Sequence, residues 1–147
     1  MISGKTNRSM TALFVGFDLE SGDGLIVSAG HPWPFIMKDG SFESLVTRGK
    51  MLGYGIAKEN KPTPFRLDEG EILFLYTDGL IENQGPDGEC LRPRNLQKIL
   101  NDNLSKPGIK AKLLNQCSLI WQEQPPGDDC TFIVIKRVVP YSGKNVA

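Results

Sequence analysis

Glu71-Ile72-Leu73-Phe74-Leu75-Tyr76-Thr77-Asp78-Gly79 is the segment around which the other elements arrange themselves. Glu71–Thr77 is the most apolar run in the chain, long enough for a buried strand and too short for a helix. It stops at Asp78-Gly79, and Asp68-Glu69-Gly70 marks a turn before it. On the N-terminal side, Thr63–Leu67 reads as a further strand and Gly49–Lys61 as a glycine-punctuated loop. Thr11–Asp18 and Leu25–Ala29 are apolar runs around the turn cluster Glu20–Gly24, which makes a hairpin. Trp33–Lys38, broken by Pro34, and Phe42–Val46 flank Asp39-Gly40, the strongest short hairpin signal present. On the C-terminal side, Glu82–Glu89 reads as an exposed loop.

Two helices follow. Leu96, Ile99, Leu100 and Leu104 recur on one face of Pro93–Leu104. Leu113, Leu114, Cys117, Ile120 and Trp121 repeat that spacing in Ile109–Glu123, which Pro125-Pro126-Gly127 brings to a stop. Thr131–Val139 is a closing strand. The pattern predicts an α+β fold: antiparallel β-sheet layers, a helix pair packed on one face, and a last strand returning to the sheet. It forms one domain over residues 10–139, with a polar lead-in at 1–9 and a polar tail at 140–147.

The chain has 147 residues, 39% hydrophobic and 23% charged, the composition of an ordinary folded domain. Sixteen glycines and ten prolines exceed average usage, which favours short strands and turns over a helical bundle. Seventeen basic residues balance seventeen acidic ones, so nothing supports a nucleic-acid binder working through a strong positive field. No apolar run approaches membrane-spanning length, and the first ten residues lack a secretory apolar region. Cys90, Cys117 and Cys130 are odd in number and widely spaced, the pattern of free thiols in a cytoplasmic protein. His31 is the one histidine and has no Gly-x-Ser-x-Gly partner, which leaves a triad hydrolase unsupported.

Two carboxylate groups stand out. Asp78 ends the apolar strand, and Gly79 lets the chain turn sharply and leaves room beside the carboxylate. Asp128-Asp129 lies between the Pro-Pro-Gly break and the closing strand. If the pair begins that strand, its side chains point to opposite faces and only one enters a given site. Either group alone reads as an ordinary turn. Together, as aspartates from separate strand ends, they suit a hard cation such as Mg²⁺ or Mn²⁺. His31, in Ser28-Ala29-Gly30-His31-Pro32, reads first as a structural histidine at a tight corner. Trp33, Phe35, Phe74 and Trp121 are assigned to the core, and Lys110-Lys112 and Lys136-Arg137 to solvated faces.

Read in order, Met10–Phe14 (MTALF), Ser28–Pro32 (SAGHP), Gly49–Gly55 (GKMLGYG), Leu73–Leu80 (LFLYTDGL) and Gly127–Thr131 (GDDCT) resemble the SpoIIE/RsbU-like branch of the PPM-type, metal-dependent serine/threonine protein phosphatases. The resemblance runs from about Met10 to Arg137 and matches the C-terminal portion of that catalytic domain. It implies an αββα sandwich with a two-metal Mn²⁺ or Mg²⁺ centre between the sheets, where a metal-bound water attacks the phosphorus of a phosphoserine or phosphothreonine. By motif match, Asp78 and Asp128 occupy metal-ligand positions, with Gly79, Asp129 and His31 supporting. His31 stands where the wider superfamily carries the aspartate of a Gly-Asp-Ser motif.

The family's upstream Gly-Asp strand, its Asp-x-x-Gly-His-Gly motif and two long helices have no counterpart in this sequence. Two carboxylates without the rest should hold a divalent ion weakly. Without those helices one sheet face should stand bare, which predicts self-association or a partner. The resemblance thus implies a bacterial signalling phosphatase acting on a phosphoserine protein of the anti-sigma-factor antagonist type, incomplete as this chain and weak or inactive alone. The alternatives are a non-catalytic remnant serving as an interaction module and an unrelated α+β domain.

Overall fold

The structure, a computed structural model, describes residues 9–53, 59–103, 108–122 and 124–138. β1 (Ala12–Phe17) and β2 (Asp23–Ala29) form the opening hairpin, with Ala12 opposite Ala29 and Phe17 opposite Gly24. The Asp18 carboxylate closes its turn by accepting the backbone N–H groups of Glu20 and Ser21 at 3.0 and 2.7 Å. β5 (Thr63–Arg66) joins the other side of β2 and completes a three-stranded sheet, β1-β2-β5.

β3 (Phe35–Lys38) and β4 (Ser41–Ser44) form the second hairpin. Its two-residue loop, Asp39-Gly40, has positive φ at both positions, the geometry whose twist matches the flanking strands. β6 (Ile72–Tyr76) and β7 (Phe132–Lys136) complete a four-stranded sheet of order β4-β3-β6-β7, antiparallel throughout.

The apolar run of β6 is explained by what covers it. Leu73 faces the three-stranded sheet in a cluster with Ile26, Ile36, Phe65 and Leu67. Phe74 and Tyr76 point the other way, as strand pleating requires, into a second cluster with Phe35, Phe42, Leu80, Leu96, Leu100, Leu113 and Cys117. That second cluster is closed by α2 (Pro93–Asp102) and α3 (Ile109–Trp121). The layers run sheet, sheet, helix pair. Three of the four layers of the expected αββα sandwich are therefore present among the described residues. The outer face of the three-stranded sheet carries Phe14 and Leu25, 63% and 52% exposed.

Several expectations need correction. The Glu82–Glu89 segment is not uniformly exposed, because a short helix α1 (Gly79–Glu82) precedes it and Asn83 is buried. Trp33 is 48% exposed and not core, whereas Phe35 and Phe74 are buried as expected. Leu114 is half exposed on α3. Arg137 is no solvated cation: its guanidinium donates to the backbone carbonyls of Leu67 (3.2 Å) and Glu20, tying β7 to the turn ends of the other sheet. α3 ends at Trp121, where Gln122 turns to φ 55°, before the prolines are reached. Leu104, residues 54–58 of the Gly49–Lys61 loop, residues 1–8 of the lead-in and the tail at 140–147 lie outside the described residues.

Candidate functional site

Antiparallel pairing brings the two aspartate segments together. Tyr76 pairs with Phe132, so residues just after β6 lie beside those just before β7. Thr77 fastens this junction. Its backbone N–H donates to Thr131 O at 2.9 Å, and its hydroxyl oxygen accepts the Thr131 N–H at 3.0 Å while donating to Asp129 O at 3.1 Å.

Asp78 then caps α1, accepting the Gly79 N–H at 3.0 Å. Gly79 is helical, and its role differs from the sharp turn expected: a Cβ there would lie 2.3 Å from the Asp129 carbonyl oxygen. Only a glycine lets the two segments approach so closely.

Asp128-Asp129 sits in the bend before β7 and does not begin the strand. Asp128 Oδ1 accepts the Asp129 N–H at 2.8 Å. The second carboxylate oxygens of Asp78 and Asp128 have no hydrogen-bond partner among the described residues. Asp78 is half-buried, whereas Asp128 and Asp129 are exposed.

Behind the carboxylates, Cys130 Sγ donates to Gly79 O at 2.8 Å. Burial pushes this thiol up; Asp128 and Asp129 add to the rise, and the Asn83 amide opposes it. The proton therefore stays on sulfur, where it can donate. Asn83, buried at the end of α1, bonds to both aspartate segments.

His31 stands on the same side. It lines a cleft of about 330 Å³ with Asp78, Trp33, Tyr76 and Glu82. Its Nδ1 lies 3.1 Å from Pro32 O. A carbonyl can only accept, so Nδ1 carries the proton in the neutral ring and Nε2 keeps a lone pair. Burial pushes the Tyr76 phenol up to about 12.

Asp78, Gly79, Asp128 and Asp129 thus meet at one end of the four-stranded sheet, and His31, just after β2 of the other sheet, shares a cleft with Asp78. Thr77 and Asn83 were not anticipated. Thr77 looked like the end of an apolar run, and Asn83 lay in a polar, turn-rich segment. Its one signal is its place four residues after Gly79, on the same helical face.

The donor chemistry suits a hard cation, which takes carboxylate oxygen. The set is partial, however: among the described residues no group of three or more His, Cys, Asp or Glu side chains is placed to hold a metal ion.

This arrangement of two antiparallel sheets and a helix pair is that of PP2C-type phosphatase domains. The SiaA-PP2C domain of Pseudomonas aeruginosa matches with a TM-score of 0.73 at 21% identity, over 87% of this chain and 52% of that one. The RsbU and RsbW domains of a Mycobacterium tuberculosis protein match with a TM-score of 0.67 at 25% identity, over 87% of this chain and 36% of that one. Residues 2–138 match the family described as Stage II sporulation protein E (SpoIIE), and the chain belongs to that family. In sequence it is similar to the phosphoserine phosphatase RsbU of Bacillus subtilis (strain 168), 28% identical over 133 residues. That match covers 88% of this chain and 39% of RsbU.

Proposed function

We propose that this chain forms the C-terminal portion of a SpoIIE/RsbU-like, PPM-type phosphatase domain, in which Asp78 and Asp128 each give a carboxylate to a Mn²⁺ or Mg²⁺ centre. Gly79, Asp129 and His31 support them. The substrate is a phosphoserine on a regulatory protein of the anti-sigma-factor antagonist type, in bacterial signalling within the cytoplasm. The observation that carries this reading is the junction at the end of β6, where Thr77, Gly79 and Asn83 hold the two aspartate segments against each other. The name of its relative, a phosphoserine phosphatase, supports the substrate class.

When bound, the metal pair would supply an activated water and neutralise phosphate charge. Asp78 and Asp128 each present one carboxylate oxygen with no hydrogen-bond partner among the described residues, fewer oxygens than such an ion takes. The isolated chain should therefore hold Mn²⁺ weakly and show little or no turnover.

The reading is tested by titrating Mn²⁺ into the chain and following the free-ion electron paramagnetic resonance signal, with p-nitrophenyl phosphate hydrolysis measured alongside. Weak binding by wild type, lost in both Asp78→Asn and Asp128→Asn, is expected. Binding that is equal in all three proteins would remove the proposed role of these aspartates. A second reading, a non-catalytic interaction module, is favoured by the uncovered Phe14 and Leu25 face; it takes over if no metal binds.

A further inference from the structure

We propose that Asn83 is a positioning residue that sets the distance between Asp78 and Asp128. This inference rests on the metal-binding role given above to those two aspartates. Asn83 Oδ1 accepts the Asp128 N–H at 3.0 Å. The two hydrogens of its Nδ2 go to Asp128 O and Gly79 O, each at 2.8 Å, with Cys130 Sγ alongside at 3.3 Å.

Only this orientation of the amide works. Rotated by half a turn, it would set its oxygen against two carbonyls and its NH₂ against an N–H. The single side chain thus spans both aspartate segments. On one side it holds the carbonyl of the residue after Asp78, and on the other it holds the backbone N–H and C=O of Asp128. The Thr77 side chain reaches Asp129 and Thr131 alone, and its link to α1 is made by its backbone carbonyl, which accepts the Leu80 N–H at 3.1 Å.

The Asn83 backbone is fixed from a third direction. Its carbonyl accepts the Trp121 indole N–H at 3.2 Å, and Trp121 ends α3. The amide is therefore mounted on the helix layer and grips the rim from beneath. Divalent ions are sensitive to the placement of their oxygens, and groups that orient ligands typically change metal affinity 10–100-fold. Asn83 touches neither carboxylate, so it acts through the backbone that carries them.

The test compares four single variants of the full chain: Asn83→Ala, Asn83→Asp, Asp78→Asn and Asn101→Ala. Asn101 accepts the Phe42 N–H at 2.6 Å where α2 meets β4, and serves as a structural control away from the rim. Mn²⁺ affinity, melting temperature without metal and backbone amide exchange at Asp128 are measured. Asn83→Ala should weaken Mn²⁺ about ten-fold and expose the Asp128 amide to exchange, while Asn101→Ala lowers the melting temperature and leaves Mn²⁺ affinity unchanged.

Asn83→Asp adds negative charge near the site but puts an oxygen against two carbonyls. It should also weaken Mn²⁺, and tighter binding would mean that charge, not position, is what Asn83 governs. If Asn83→Ala does not fold, Asn83→Ser takes its place with the same expectation. Unchanged Mn²⁺ affinity in the Asn83 variants, with Asp78→Asn still losing it, overturns the positioning role alone. Unchanged affinity in Asp78→Asn overturns the metal role and the positioning role with it.

Discussion

Gly79 shows how closely the site is built at the residue scale. The Asp129 carbonyl occupies the space that a methyl group would need. Gly79→Ala must therefore push the Asp128-Asp129 segment away or tilt α1, and should cost about 1–3 kcal/mol, the usual range for overpacking. Urea denaturation checks the cost, and a change below 0.5 kcal/mol would show that the junction is loose. Tyr76 and Cys117 give a pH prediction. Burial pushes the Tyr76 phenol from 10.0 up to about 12 and the Cys117 thiol from 9.0 up to about 11. The folded state holds both protons more tightly than the unfolded chain. Their stabilisation is fully present below the unfolded values and disappears as pH rises through the folded ones. Stability should be flat from neutral pH to just below 9, fall above 9 as Cys117 and the similarly raised Cys130 titrate, and fall further between 10 and 12 as Tyr76 does. Tyr76→Phe should remove the Tyr76 share, on the order of 1–2 kcal/mol once solvent screening is allowed for, and leave neutral-pH stability nearly unchanged. A wild-type profile flat to pH 11 would contradict this. That Asp78 and Asp128 flank strand ends was legible in the sequence, because an acid beside a glycine or a proline-glycine break is conspicuous; that these ends adjoin follows from the β6–β7 pairing. Asn83 was not, since nothing in Glu82–Glu89 distinguishes a buried amide from a solvated one. Its partners lie across the β6–β7 junction, 45 or more positions away for Asp128 and Cys130.

At the scale of elements, β6 and the two hairpins were legible because their signals are local. An apolar run bounded by turns, and Asp-Gly between two strands, need no knowledge of the rest of the chain. The four residues of α1 carry no readable period, since one helical turn fits almost any pattern; it exists because Asp78 caps it and the β7 lead-in packs beside it. α3 is a mixed case. Its spacing put Leu113 and Leu114 on the inner face together, yet Leu113 is fully buried and Leu114 is 49% exposed. Adjacent residues lie about 100° apart on a helix, so one of two neighbouring leucines must turn toward the edge of the apolar stripe. Leu113→Ala should cost 2–5 kcal/mol, roughly the range for a buried leucine truncation. Leu114→Ala should stay near 0.5 kcal/mol, about what a surface change costs. Equal losses in thermal or urea unfolding would mean that the α3 face is rotated from the one described.

At the scale of the whole molecule, the two sheets and the helix pair bury both faces of the central strands but only one face of the β1-β2-β5 sheet. On its outer side Phe14 lies opposite Val27, and Leu25 lies between Gly16 and Pro64 in the strand register. These residues line a shallow trough of about 840 Å³. A contiguous apolar surface of this kind marks an interaction site more often than a free surface. A second copy of the chain is the occupant to test, because two such faces are equally apolar along Phe14, Leu25, Val27 and Pro64, with Asp18 and Asp23 at the end of the trough. Phe14 and Leu25 already project from the sheet, so replacing both with lysine should leave the fold intact, within about 0.5 kcal/mol for each change. Sedimentation velocity should then show wild type associating as its concentration rises and the Phe14→Lys, Leu25→Lys double variant remaining monomeric at every concentration. If both proteins sediment as monomers, self-association through this face is excluded. If both associate, copies meet elsewhere, with the β7 edge, which no strand pairs among the described residues, and its exposed Ile133 and Val134 the next place to substitute.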